Sequence, residues 1–135
     1  MSERSRPWDY LTPDDVIALH EQVINRWGGA HGLRDPGLLE AALYRPQTGY
    51  YATLIDEAAA GAALWESLSQ NHAFLDGNKR IAFAAVYAFL RINGCRTTVD
   101  NDCAETFIAD LYERNDLRFE TLRDWLKANT EEVRF

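Results

Sequence analysis

Apolar residues recur along this chain at three- and four-residue intervals, and turn-forming residues interrupt the rhythm. Val16, Leu19, Val23 and Trp27, with Ile17 and Ile24 alongside, form the first stripe, the spacing of a helix that buries one face. Thr12, Pro13 and Asp15 start it, because the hydroxyl can accept from free backbone N–H groups and proline is tolerated at the first helical position. Gly28 and Gly29 end it. Asp35 and Pro36 repeat the start signal, Leu38, Leu39, Ala42 and Leu43 follow, and Pro46 stops a short second helix.

Residues 47–54 carry β-prone side chains without helical spacing and read as a loop or short hairpin. Residues 56–71 are rich in alanine, with Trp65, Glu66 and Leu68 among them, and predict a third helix ending near His72 despite Gly61. Residues 81–90 are apolar almost all round, as expected of a helix surrounded by others, and Asn93 and Gly94 are its stop. Two more amphipathic stretches follow, Ala104, Phe107, Ile108 and Leu111, then Phe119, Leu122, Trp125 and Leu126. The expected fold is all-α: one compact helical domain over residues 1–135 around a central buried helix. No repeat, low-complexity segment or linker divides the chain.

A chain of 135 residues with 47% hydrophobic content is long enough to bury a core without disulfides or a structural metal. The net charge of -7, with acidic residues spread along the chain, argues against a general electrostatic grip on nucleic acid or anionic lipid. A nucleotide or a protein is the expected ligand. Cys95 and Cys103 lack C-x-x-C spacing, and His20, His31 and His72 form no H-E-x-x-H arrangement, so no zinc site is expected. No segment approaches the ~20 apolar residues that span a bilayer, and the N-terminus is polar with no export signal. The expectation is a cytoplasmic protein with both thiols reduced.

The run His72, Ala73, Phe74, Leu75, Asp76, Gly77, Asn78, Lys79, Arg80 lies between two predicted helices. Lys79 and Arg80 fall in the first turn of the second, where the macrodipole already carries partial positive charge and cations are unfavourable. A bound anion would reverse that sign. Free N–H groups at a helix start, a glycine that permits close approach and two flanking cations together make a phosphate site. Asp76 would repel a naked phosphate, but fits a divalent ion bridging it to phosphate oxygens, as magnesium does. His72 opens the loop, and imidazole is the side chain suited to taking a hydroxyl proton near neutral pH. A helix C-terminus stabilises protonated histidine, which works against a base there.

This run resembles the Fic/Doc pattern H-x-F-x-(D/E/N)-(G/A)-N-(G/K)-R at every fixed position. Upstream, Gly32 to Asp35 and Gly37 to Glu40, with Ala42, Leu43, Arg45, Pro46 and Gln47, are similar to Doc (death-on-curing) toxins, as are Phe89, Leu90, Asn93 and Gly94. The resemblance implies that His72 deprotonates an acceptor hydroxyl and that Asp76 binds Mg2+. It implies that Asn78, Lys79 and Arg80 hold the phosphates of ATP, with Gly77 supplying a backbone N–H and Phe74 anchoring the loop. Lys79 stands where AMP-transferring Fic enzymes have a second glycine, and Phe83 where they have a second arginine. Both departures are shared with Doc toxins. They favour transfer of the terminal phosphate to a protein, with a threonine of elongation factor Tu as candidate target and blocked translation as consequence. AMP transfer, or a Fic-fold binding module without activity, are the alternatives.

Many Fic proteins carry a self-inhibiting S/T-x-x-x-E-(G/N) helix; here Thr53 to Glu57 is followed by Ala58, so inhibition in trans by a small antitoxin is expected. Tyr50, Tyr51 and Thr53 are read either as a flap that docks the protein substrate as an added strand or as an ordered surface loop. His20 and His31 are read as structural. Trp65, Tyr87, Phe89 and Trp125 sit at helical spacings and are expected in the core.

Overall fold

The structure, a computed structural model, describes residues 8–48 and 56–133. Each start signal in the sequence becomes a cap. Helix α1, Pro13–Trp27, opens with a capping box: Asp15 N–H donates to Thr12 Oγ1 (3.1 Å) and Thr12 N–H to Asp15 Oδ2 (2.9 Å). Asp35 accepts from Leu38 N–H at the start of α2, Pro36–Tyr44, which tightens into a 3-10 turn at Arg45–Gln47. Asp56 caps α3, Glu57–Asn71, and Asp100 caps α5, Asn101–Glu113. Helix α6, Phe119–Ala128, is capped from a distance, because Glu66 of α3 accepts Phe119 N–H at 2.9 Å.

Helix α4, Asn78–Ile92, follows the motif loop. Two three-residue strands, β1 (Cys95–Thr97) and β2 (Thr130–Glu132), pair antiparallel with Cys95 opposite Glu132. The sequence reading has no strand at either place. Three residues are too few for an alternating pattern to register, and only the return of the chain after α6 gives β1 a partner. The hairpin or flap expected at 47–54, with Tyr50, Tyr51 and Thr53, falls almost wholly outside the described residues.

The most enclosed helix is α3. Ala58 to Trp65 are buried without a break, and α3 packs against α2, α4 and α6. Small side chains permit this closeness: a Cβ on Gly61 would stand 3.3 Å from Leu126 Cδ1 of α6. Trp65 is fully enclosed among the rings of Phe83, Phe107 and Trp125, and Phe107 stacks on Trp125 at 4.6 Å. Phe89 is buried on α4 as expected, but Tyr87 is 44% exposed. The all-round apolar pattern of α4 thus overstates its enclosure. Helix α1 crosses the other flank of α4, which brings the end of α1 beside the motif loop.

Candidate active site

The loop between α3 and α4 is held by the segment that leaves α1. Leu33 and Phe74 form an antiparallel bridge. Arg34 N–H and Asp35 N–H both donate to the Ala73 carbonyl (2.8 and 3.1 Å), and Leu75 N–H donates to Gly32 O (3.1 Å). His72 ends α3 in the left-handed region, φ 49 and ψ 51, a conformation uncommon outside glycine. The Arg34 guanidinium donates to the His72 carbonyl through Nε and Nη2. The His72 side chain is exposed, and its imidazole has no hydrogen-bond partner among the described residues.

Phe74 turns inward and is 3% exposed. His20 of α1 stacks flat on it, ring centroids 3.9 Å apart, and its Nε2 donates to the Asp76 carbonyl at 2.7 Å. A carbonyl only accepts, so that nitrogen carries the proton. His20 is therefore structural, as the sequence suggested, but the structure it maintains is the motif loop. Nothing in a lone histidine on a helical stripe announces a partner 56 positions away.

Asn78 clamps the same loop from the other end. Its Oδ1 accepts Phe74 N–H (3.1 Å) and its Nδ2 donates to Phe74 O (3.0 Å), which leaves one amide hydrogen for any other partner. Gly77 caps α4 with φ 73 and ψ 19, and a Cβ there would lie 3.0 Å from Ile24 Cδ1. Left-handed backbone and close approach together call for glycine. Its N–H donates to Asp76 Oδ1 at 2.8 Å, so that hydrogen is already committed to the neighbouring carboxylate.

Asp76 itself is exposed, and Oδ2 accepts Ala30 N–H at 3.1 Å. The bonds from Ala30 and Gly77 hold its carboxyl below the ordinary aspartate range, with a smaller contribution from His20. A carboxylate has about four lone-pair directions; with two bonded to backbone, the others remain for a ligand. Among the described residues no three His, Cys, Asp or Glu side chains cluster to hold a metal. One carboxylate suits an ion that draws the rest of its shell from phosphate oxygens and water, which is the habit of Mg2+. Among the described residues no side chain caps α4, so the N–H groups of its first turn, which have no intrahelical acceptors, face an anion-favouring field. The donor set has the chemistry of a site for phosphate bridged to a divalent ion.

Lys79 and Arg80 project from that first turn toward separate partners. Lys79 Nζ lies 4.4 Å from the Tyr112 ring centroid; Arg80 Cζ lies 4.2 Å from that of Trp27, and its Nη1 is 3.1 Å from Glu105 Oε1. The two cations thus find compensation within the protein against the helix dipole, Arg80 from the Glu105 carboxylate and both from aromatic rings. Arg80 and Glu105 side chains are 46% and 49% exposed, and such pairs contribute about 0–1 kcal/mol. A multiply charged phosphate at an uncapped helix start can displace them. His31 lies on a shallow groove with Ile17, His20, Glu21 and Phe74, on the α1 side of the loop.

The chain is similar to known proteins over most of its length. The chain is 43% identical over 99 residues to Toxin Doc of Mycolicibacterium smegmatis, an overlap covering 70% of this chain and 72% of that one. It is 37% identical over 86 residues to Protein kinase doc of Escherichia phage P1, covering 63% and 68%. The sequence profile of the Fic/DOC family matches residues 10–90, a span that contains α1 to α3, most of α4 and the whole His72–Arg80 loop, and the chain belongs to that family.

Proposed function

We propose that this protein transfers the terminal phosphate of ATP to a hydroxyl of a cellular protein, as a Doc-type toxin, with Mg2+ held at Asp76. The observation that carries this reading is one loop with its functional groups already arranged. An exposed imidazole stands at its start, an ionised carboxylate with spare lone pairs near its end, and an uncapped helix bearing two cations follows directly. In-line phosphoryl transfer needs positioning and charge neutralisation more than covalent participation by the enzyme.

In this reading His72 takes the proton of the acceptor hydroxyl. The backbone N–H groups at the start of α4, with Lys79 and Arg80, bind the phosphates and neutralise charge on the transferring group. Asn78 contributes chiefly by fixing the loop, with one amide hydrogen left for the nucleotide. Mg2+, when bound, supplies the positive charge that lets Asp76 and the phosphate oxygens share one site. The similarity to Protein kinase doc supports phosphate over AMP transfer, as do Lys79 and Phe83 at the two positions where AMP-transferring relatives differ. A threonine of elongation factor Tu is the candidate acceptor, and an antitoxin acting in trans is the expected inhibitor, in keeping with the similarity to Toxin Doc.

The test is transfer to total cell protein from ATP labelled at the alpha or the gamma phosphate, comparing wild type with His72→Ala. Label from gamma alone, lost in the variant, is the expected result. Label from alpha would make the protein an AMP transferase and overturn the assignment. No label from either position would overturn both transfers from ATP and leave a binding module or a different donor.

A further inference from the structure

Asp76 is gripped by a short stretch 46 residues upstream, where α1 gives way to two glycines. Gly29 has φ +114, and a Cβ built on it would stand 2.7 Å from Asp76 Oδ2 and 3.2 Å from its Cγ. The next residue, Ala30, donates its N–H to that same Oδ2 at 3.1 Å. The missing side chain at 29 therefore lets the backbone come close enough for the N–H at 30 to reach. Oδ1 is bonded to Gly77 N–H, so rotation of the carboxylate breaks a bond at one oxygen or the other. The main chain of Asp76 is fixed independently, through His20.

We infer that Gly29 is a positioning residue for the reaction: it admits the contact by which Ala30 sets the direction of the Asp76 carboxylate, and so where its remaining lone pairs present themselves to Mg2+. This rests on the assignment of Asp76 to the metal. Groups that orient a metal-binding carboxylate without touching the ion commonly change metal affinity by about 10- to 100-fold when lost.

The neighbouring glycine provides the control. Gly28 has φ +90 but nothing within 4 Å of a Cβ among the described residues. Gly28→Ala and Gly29→Ala thus share the strain of a side chain on left-handed backbone, and only the second collides with Asp76. The other close atom at 29, Ile24 Cδ1 at 3.3 Å, needs to shift by only a few tenths of an ångström, whereas the overlap with Oδ2 at 2.7 Å is much larger.

Two measurements on the full-length protein test the inference. In thermal unfolding without nucleotide, Gly29→Ala should lower the midpoint several degrees more than Gly28→Ala. That excess should vanish when both are placed in an Asp76→Ala background, where the oxygen it strikes is gone. An excess that persists there, or never appears, overturns the proposed contact. In gamma-phosphate transfer, Gly29→Ala should raise the Mg2+ concentration for half-maximal rate about tenfold or more, with Gly28→Ala close to wild type. An unchanged Mg2+ requirement in Gly29→Ala, with transfer intact, overturns the positioning role. If wild-type protein transfers no label at any Mg2+ concentration, the phosphotransfer reading fails, and the unfolding cycle still decides whether Gly29 sets Asp76.

Discussion

Replacing Asn78 by alanine separates two roles that this side chain could have, loop clamp and phosphate ligand. In the structure both polar ends are spent on Phe74, accepting from its N–H at 3.1 Å and donating to its carbonyl at 3.0 Å. Phe74 is 3% exposed, so water replaces these partners poorly. Two net hydrogen bonds at about 0.5–1.5 kcal/mol each give a loss of roughly 1–3 kcal/mol. Alanine returns at most about 0.6 kcal/mol through better helix propensity, which leaves a net loss of about 1–2 kcal/mol. For a domain of this size that lowers the thermal midpoint by about 3–8 °C. The assay is unfolding of the nucleotide-free protein, followed by circular dichroism. Asn78→Asp should not rescue it, because the second carboxylate oxygen would face the Phe74 carbonyl. A nucleotide-free midpoint within about 1 °C of wild type, with phosphate transfer abolished, would refute the clamp and make Asn78 a ligand only.

His20→Phe keeps the ring stacked on Phe74 but removes the donor to the Asp76 carbonyl. We expect a loss of about 1–2 kcal/mol, read by urea unfolding, together with slower transfer; unchanged stability would show that the bond to Asp76 holds nothing in place. Burial pushes the Cys95 thiol up to about 11, with the Glu57 carboxylate adding to it, while Cys103 is exposed and is raised mainly by its bond to Asp100 and that carboxylate's charge. A thiol reagent at about pH 8 should modify one cysteine, Cys103, in the native protein and both after denaturation; two fast native thiols would contradict the burial of Cys95. The raised folded-state value also sets a sign. The stability that Cys95 contributes is present below the ordinary thiol value of 9.0 and is lost as pH rises through about 11. Melting midpoints across that window should therefore fall more steeply in wild type than in Cys95→Ala.

Much of this protein was legible along the chain because its signals are local. Thr12, Asp35 and Asp56 cap helices with side chains that reach only two or three residues, so composition and order sufficed to find α1, α2 and α3. The His72–Arg80 run is equally local, and its charge pattern alone raised a phosphate site. Tertiary structure decided what depends on residues far apart. It paired β1 with β2 across α5 and α6, left Tyr87 exposed on α4, and made α3 the most enclosed helix. At the site it turned Asn78 inward onto Phe74, gave Lys79 and Arg80 aromatic partners on α5 and α1, and recruited His20, Gly29, Ala30 and Arg34 to hold the loop. Sequence periodicity reports which face of an element is apolar. Which distant backbone atom will stand 3 Å from a given carboxylate depends on how α1 and α4 pack, and that contact is fixed only when the whole core closes.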